Sequence, residues 1–144
     1  MAEGDGAIYN NFKEQLLLKI IDCDTDTFKM ILVTGYVPDI DADVDYADVS
    51  GDEYGAGVGY TVGGETLAGL AVAQDNPNDR ATWDASNVTW TSLGPLAPNT
   101  PSHCIVYDDT ASDYLVFYWE LGTTATNGGD YTMEFNVVGM MTLT

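Results

Sequence analysis

Asp39, Asp41, Asp43 and Asp45 stand at alternate positions in DIDADVDYADVSGDE (39–53), a segment with seven acidic side chains and no base. Oxygen ligands at that spacing match the first positions of a helix–loop–helix calcium loop. The match then fails. The sixth position needs glycine for a sharp turn, and Val44 stands there; the twelfth needs a bidentate glutamate, and Ser50 stands there. The segment therefore reads as a hydrated or partner-facing loop. An irregular calcium site on the same four aspartates is the alternative.

Other reactive groups give weaker patterns. GAGVGYTVGGE (55–65) is glycine-rich, but a dinucleotide fingerprint starting at Gly57 would require glycine where Val62 stands, and no lysine follows to serve a phosphate loop. Those glycines suit tight turns or close backbone approach. His103 is the single histidine. No Gly-x-Ser-x-Gly elbow accompanies it, and Ser102 and His103 on one strand are expected to point to opposite faces. Cys104 meets the same objection. Cys23 and Cys104 form no CxxC pair and are expected as reduced, small apolar side chains. Nothing singles out two of the twenty-three carboxylates as a glycosidase pair. The expectation is no catalytic residue and no cofactor.

The elements around these groups are mostly strands. IYNNFKEQLLLKI (8–20) is the best helix, with Ile8, Phe12, Leu16 and Ile20 recurring every four residues. FKMILVT (28–34) reads as a strand buried on both faces. HCIVYD (103–108) and YLVFYWEL (114–121) are apolar runs separated by the turn-rich DDTASD. NVTWTS (87–92) alternates, as does YTMEFNV (131–137), with Tyr131, Met133, Phe135 and Val137 inward. GMMTLT (139–144) extends that strand or starts another after a bend at Gly139. LAGLAVAQ (67–74) and RATWD (80–84) are weaker strands joined by DNPND. GPLAPNTP (94–101) is a stiff loop. The pattern predicts a mainly β chain: an antiparallel β-sandwich or barrel-like domain with one short N-terminal helix, a single domain over 1–144. Trp83, Trp90 and Trp119 are expected between sheets, although aromatic platforms on sheets also bind sugars.

The chain has 144 residues and a net charge of −19. Residues 1–29 hold six acids and three lysines, or −3; residues 30–144 hold seventeen acids and Arg80, or −16. Such a surface repels nucleic acid and anionic membranes. It suits high solubility and a basic protein partner, metal ions or high-salt surroundings. No apolar stretch is long enough to span a bilayer. MAEGDGAIYNNFKEQ lacks a basic region followed by an apolar one, so cytosolic synthesis is expected, with Asn87 unglycosylated.

The chain resembles the small head-associated structural proteins of tailed bacteriophages. The resemblance lies in GDGAIYNNFKEQLL, KMILVTGYVPDIDAD, YADVSGDE, GYTVGGETLAG, QDNPNDRATWDASNVTW, CIVYDD, GGDYTMEFN and GMMTL. GPLAPNTPSH is longer and richer in proline than that pattern, and His103 stands where a base such as arginine is expected. The resemblance implies a virion component without enzymatic activity, made in the host cytoplasm. It implies a capsid decoration (cement) protein on the outside of the head, bound to the major capsid protein as a homo-oligomer, a trimer first. A tail or neck component is the nearest alternative. A calcium-dependent or aromatic-platform carbohydrate-binding module is another. Within this reading the least acidic segment, with Ile8, Tyr9, Phe12 and Lys13, is expected to face the capsid. Removing residues 1–15 should then leave a folded domain. The acidic segment is expected to face outward, hydrated, keeping particles apart.

Overall fold

Three apolar runs build the centre of the molecule. In the computed structural model, which describes residues 5–55, 57, 59–94, 100–122 and 125–144, β2 (Phe28–Val33), β7 (His103–Asp108) and β8 (Tyr114–Glu120) lie side by side. Short edges β1 (Gly6–Ile8) and β3 (Glu65–Thr66) complete an antiparallel sheet in the order β1-β8-β7-β2-β3. Met30, Leu32, Cys104 and Val106 enter one core; Ile31, Val33, Ile105 and Tyr107 enter a second on the opposite face. A strand covered on both faces has no polar side to show, which is why β2 and β7 read as continuous apolar runs. Between Val106 and Tyr107 the partner on β8 slips from Phe117 to Leu115. Val116 is the extra residue of a bulge, so it and Phe117 both reach the first core.

Two small sheets contribute to the first core. One is β10-β5-β4, from β4 (Ala71–Asp75), β5 (Arg80–Asp84) and β10 (Met141–Leu143); the other pairs β6 (Val88–Trp90) with β9 (Tyr131–Met133). They supply Trp83, Met141, Val88 and Trp90, and helix α1 (Asn10–Leu17) adds Phe12. The second core is closed by Tyr9 and by residues of the acidic region: Tyr36, Ile40, and Tyr46 and Val49 of α2 (Tyr46–Val49). The result is a mainly β, antiparallel, sandwich-like arrangement. No barrel closes, because β1 and β3 remain separate edges of the central sheet.

Several boundaries differ from the sequence reading. The helix begins at Asn10, because Gly6–Ile8 pair with Phe117–Trp119 and Ile8 is spent on that strand. It stops at Leu17, and Ile20 is left exposed. Strand β9 covers only 131–133; Val137 is fully exposed because the chain turns at Asn136–Gly139. Gly139 (φ 109°) makes that bend, where a Cβ would press on the Trp83 carbonyl, and β10 is a strand of its own. Residues 95–99 of the proline-rich loop lie outside the described residues, as do Ala56 and Val58 of the glycine-rich run. No helix among the described residues is long and apolar enough to cross a membrane.

Candidate functional site

Four carboxylates of the acidic segment, those of Asp39, Asp43, Asp45 and Asp48, are bound to the segment's own backbone. Asp39 Oδ1 accepts from the N–H groups of Asp41 and Ala42 at 3.1 Å. Asp43 accepts from the Asp39 N–H at 3.1 Å and from the Tyr36 hydroxyl. Asp45 caps α2 by accepting from the Ala47 N–H at 2.9 Å, and Asp48 reaches back to the N–H groups of Val44 and Asp45. That is a capping box, with aspartate in the place of the usual serine and glutamate. Asp41 accepts from the Asn10 side chain. Asp39, Asp43, Asp45 and Asp48 thus stabilise local turns, while Ile40, Tyr46 and Val49 point the other way into the core. Asp39, Asp41, Asp43 and Asp45 do not converge. Among the described residues no group of three acids, histidines or cysteines is placed to hold a metal ion.

Glu53, the last acid of the segment, has an internal role. Its carboxylate accepts from the hydroxyls of Tyr46 and Tyr60 and from the Gly63 N–H at 2.7 Å. Burial, and then the neighbouring Glu53, push the Tyr46 phenol up to about 12. Gly64 next to this knot has φ 79°, and a Cβ there would fall onto the Met30 carbonyl.

The N-terminal residues expected to face a partner divide. Lys13 is exposed and Ile8 is half-buried. Tyr9 and Phe12 are buried, Tyr9 in the second core and Phe12 in the first, so these two are structural and not contact surface. Deleting residues 1–15 would also remove β1, Tyr9 from the second core and Phe12 from the first.

An unpartnered surface lies at the other end of the helix. Leu17, Leu18 and Ile20 are 84%, 60% and 52% exposed. α1 closes through paired bonds from the Lys19 N–H to the Leu16 carbonyl and from the Ile20 N–H to the Gln15 carbonyl. This closure places its C′ residue in the left-handed region, a position that favours glycine. Lys19 occupies it at φ 60°. Lys29 is paired with Asp109, and Arg80 with Asp75. Among the described residues, Lys13 and Lys19 are the bases with no carboxylate in ion-pair reach. Lys13 and Leu17, four apart, share one side of the helix.

Ser102 and His103 meet, against the sequence expectation, because Ser102 precedes β7 and is not part of its alternation. Ser102 Oγ lies 3.0 Å from His103 Nδ1, and His103 Nε2 lies 2.8 Å from Glu120 Oε2. Tyr36 and Tyr118 stand edge-on to the imidazole, and burial lowers its pKa against the opposing pull of Glu120. The Ser102 hydroxyl also lies 3.2 Å from the Val33 carbonyl, so the trio ties β7 to β2 and β8. Both cysteines are free thiols; burial pushes Cys23 up to about 11 and Cys104 up to about 12, which suppresses the thiolate. Trp83 and Trp90 are core residues, whereas Trp119 is partly buried, packs against Phe117 and Phe135, and borders a cleft of about 770 Å³ with Tyr131 and Phe135.

Comparison with protein-family models, curated proteins and solved structures finds no match to this chain.

Proposed function

We propose that the chain is a virion structural protein of the decoration (cement) type, which binds the major capsid protein on the outside of an icosahedral head and stabilises the shell. The resemblance in sequence suggests the class. The observation that supports adhesion is the group of exposed apolar side chains, Leu17, Leu18 and Ile20, beside the unpaired cations Lys13 and Lys19. Large apolar side chains gathered on a polar exterior mark contact with another protein. The rest of this strongly acidic surface repels nucleic acid and anionic lipid, so contact with a protein lattice falls to this apolar group and its two cations. Only the assembled shell would present the complete site, so binding stabilises the shell by mass action. Many weak copies on one particle add avidity.

The test is co-sedimentation of the pure protein with expanded heads, with the temperature of capsid disruption as second readout. Wild type pellets with heads in stoichiometric copies and raises that temperature. Leu17→Asp with Leu18→Asp weakens binding by about 100-fold, while stability changes by no more than about 0.5 kcal/mol because both sites are exposed. Absence of the wild-type chain from purified virions, or turnover of a substrate by it, overturns the reading. Hexameric rings located at the neck or tail transfer it to that part of the virion.

A second reading, as a carbohydrate binder, is supported by the cleft of Trp119, Tyr131 and Phe135, with Glu134 and Asn136 on its lining. Partly exposed rings beside an amide and a carboxylate suit sugar faces and hydroxyls. Glycan binding lost on Trp119→Ala, with head binding absent, would favour it.

A further inference from the structure

Among the described residues, β4 is the longest edge strand and the barest. β1 and β10 end their sheets with three residues, β3 with two, and β6 and β9 pair over three. β4 runs five, in unbroken register with β5 from Ala71 opposite Asp84 to Asp75 opposite Arg80. Its other edge pairs with no described strand. Ala71, Val72, Ala73 and Gln74 are exposed. Proteins usually blunt such an edge with charged side chains, proline, a bulge or a cover. AVAQD has no proline, no bulge and no cover among the described residues, and its one charge, Asp75, sits at the strand end paired with Arg80.

We propose that β4 pairs with β4 of a second copy, antiparallel, across a two-fold axis at Ala73. The two three-stranded sheets join into one of six strands, and the same surface serves both copies, as closed two-fold symmetry requires. Charge favours this occupant and this register. Copies of a chain at −19 repel, and like charges directly opposite on a sheet are destabilising. Residues 66–74, TLAGLAVAQ, carry no charge at all. With Ala73 opposite Ala73, Val72 faces Gln74 and Ala71 faces Asp75. The single charge of each strand therefore meets an alanine, and it is already compensated by Arg80, whose Nε lies 2.7 Å from Asp75 Oδ2. Val72 lies on the sheet face of Trp83 and Met141 but is 52% exposed, sharing a depression with Leu16. The two-fold sets the Gln74 stem of each copy directly opposite Val72 of the other on that face, with the two Val72 side chains diagonal to each other. The interface is small, so the dimer is weak and concentration-dependent.

Sedimentation equilibrium on the full chain tests this without any capsid, so its failure leaves the head-binding reading standing. Wild type is expected to shift from one to two copies as concentration rises. Ala73→Lys and Ala73→Asp each place like charges directly opposite, and each should weaken the dimer at least about tenfold. An equimolar mixture of the two variants should restore it as a heterodimer. Amide exchange on wild type gives a readout free of folding defects in the variants: protection over 71–75 should rise with concentration. A wild-type monomer up to about 0.5 mM overturns the proposal. So do a trimeric mass, single variants that dimerise like wild type, failure of the mixture to pair, or protection that ignores concentration.

Discussion

The acidic segment 39–53 and the end of α1 invert what their compositions suggest. The segment holds seven carboxylates, and those of Asp39, Asp43, Asp45, Asp48 and Glu53 are hydrogen-bonded to backbone or phenol groups within the fold. The helix end holds a few common side chains, yet Leu17, Leu18, Ile20 and Lys19 are left without partners. A dense run of charge is therefore not itself a site. Oxygens that close turns next to an apolar inner face make a cover for the second core. Unused binding capacity is the better marker, and it lies on the side of the central sheet that packs the first core, where Leu16 and Ile21 anchor the turn.

The largest effect should come from Glu53, the acid that looks most like surface in the sequence. Glu53→Ala strands two partly buried phenols and the Gly63 N–H together. Chemical denaturation should show a loss of about 2–4 kcal/mol. A loss below about 0.5 kcal/mol would return Glu53 to the hydrated coat and blur the contrast between the two regions.

Next comes an acid outside both regions. Asp108, at the end of β7, is fully buried; its Oδ1 accepts from the N–H groups of Thr110 and Ala111 at 2.8 and 2.9 Å. Burial first, and then the nearby Asp26, push its pKa from 3.8 up to about 6, against those two bonds. A raised folded pKa means that the folded state holds the proton more tightly than the unfolded state. The stabilisation this gives is complete below pH 3.8 and is lost as pH rises through about 6. Asp108→Asn keeps the acceptor oxygen and removes the charge. It should be more stable than wild type by about 1–3 kcal/mol at pH 7, with the difference disappearing near pH 4. His103 acts in the opposite sense: its pKa is lowered, so its contribution fades as pH falls below 6.5. The comparison is therefore made between variant and wild type at each pH.

What the sequence discloses follows the range of the forces involved. Continuous apolar runs disclosed β2, β7 and β8, and alternation disclosed Val88 and Trp90, because burial pattern is local. The pairing of Gly6–Ile8 with β8 was hidden, since three small or ordinary residues carry no strand pattern. That pairing removed Ile8 from the helix and fixed Tyr9 and Phe12 in the cores. Large aromatics are core residues more often than contacts, and that rule would have redirected the expectation about them. The helix end did have a local signal. LLLKII, 16–21, places five apolar residues in six positions, more than one side of a helix continued through them could bury. The role of Glu53 had none, because its partners Tyr46, Tyr60 and Gly63 sit seven to ten residues away, where no periodic pattern marks which side chains meet.

Two smaller effects bound the comparison. Asp45→Ala removes the cap of α2 and should cost about 1 kcal/mol, with Asp45→Asn nearly neutral because asparagine caps equally well. If both variants are equally damaging, the negative charge and not the cap is what the site needs, and the calcium alternative regains support.

Lys19→Gly should have a small effect on the fold and an informative one. Glycine accepts the left-handed backbone that lysine holds at φ 60°, so the helix closure relaxes. Against this stands the loss of a cation near the helix carbonyl end, worth a few tenths of a kcal/mol. The net should be a gain of up to about 0.5 kcal/mol in folding, read by denaturation. Head binding should move the other way, weakening roughly threefold to tenfold, with the loss shrinking as salt rises. Asp41→Asn, an exposed change in the acidic segment, should move neither quantity by more than the noise of the measurement. If Lys19→Gly weakens folding, or leaves binding untouched while Leu17→Asp destroys it, the cation is incidental and the surface is apolar only. If stability rises while binding falls, a strained lysine is held at the helix end at the expense of the fold, which is the mark of a residue placed for contact.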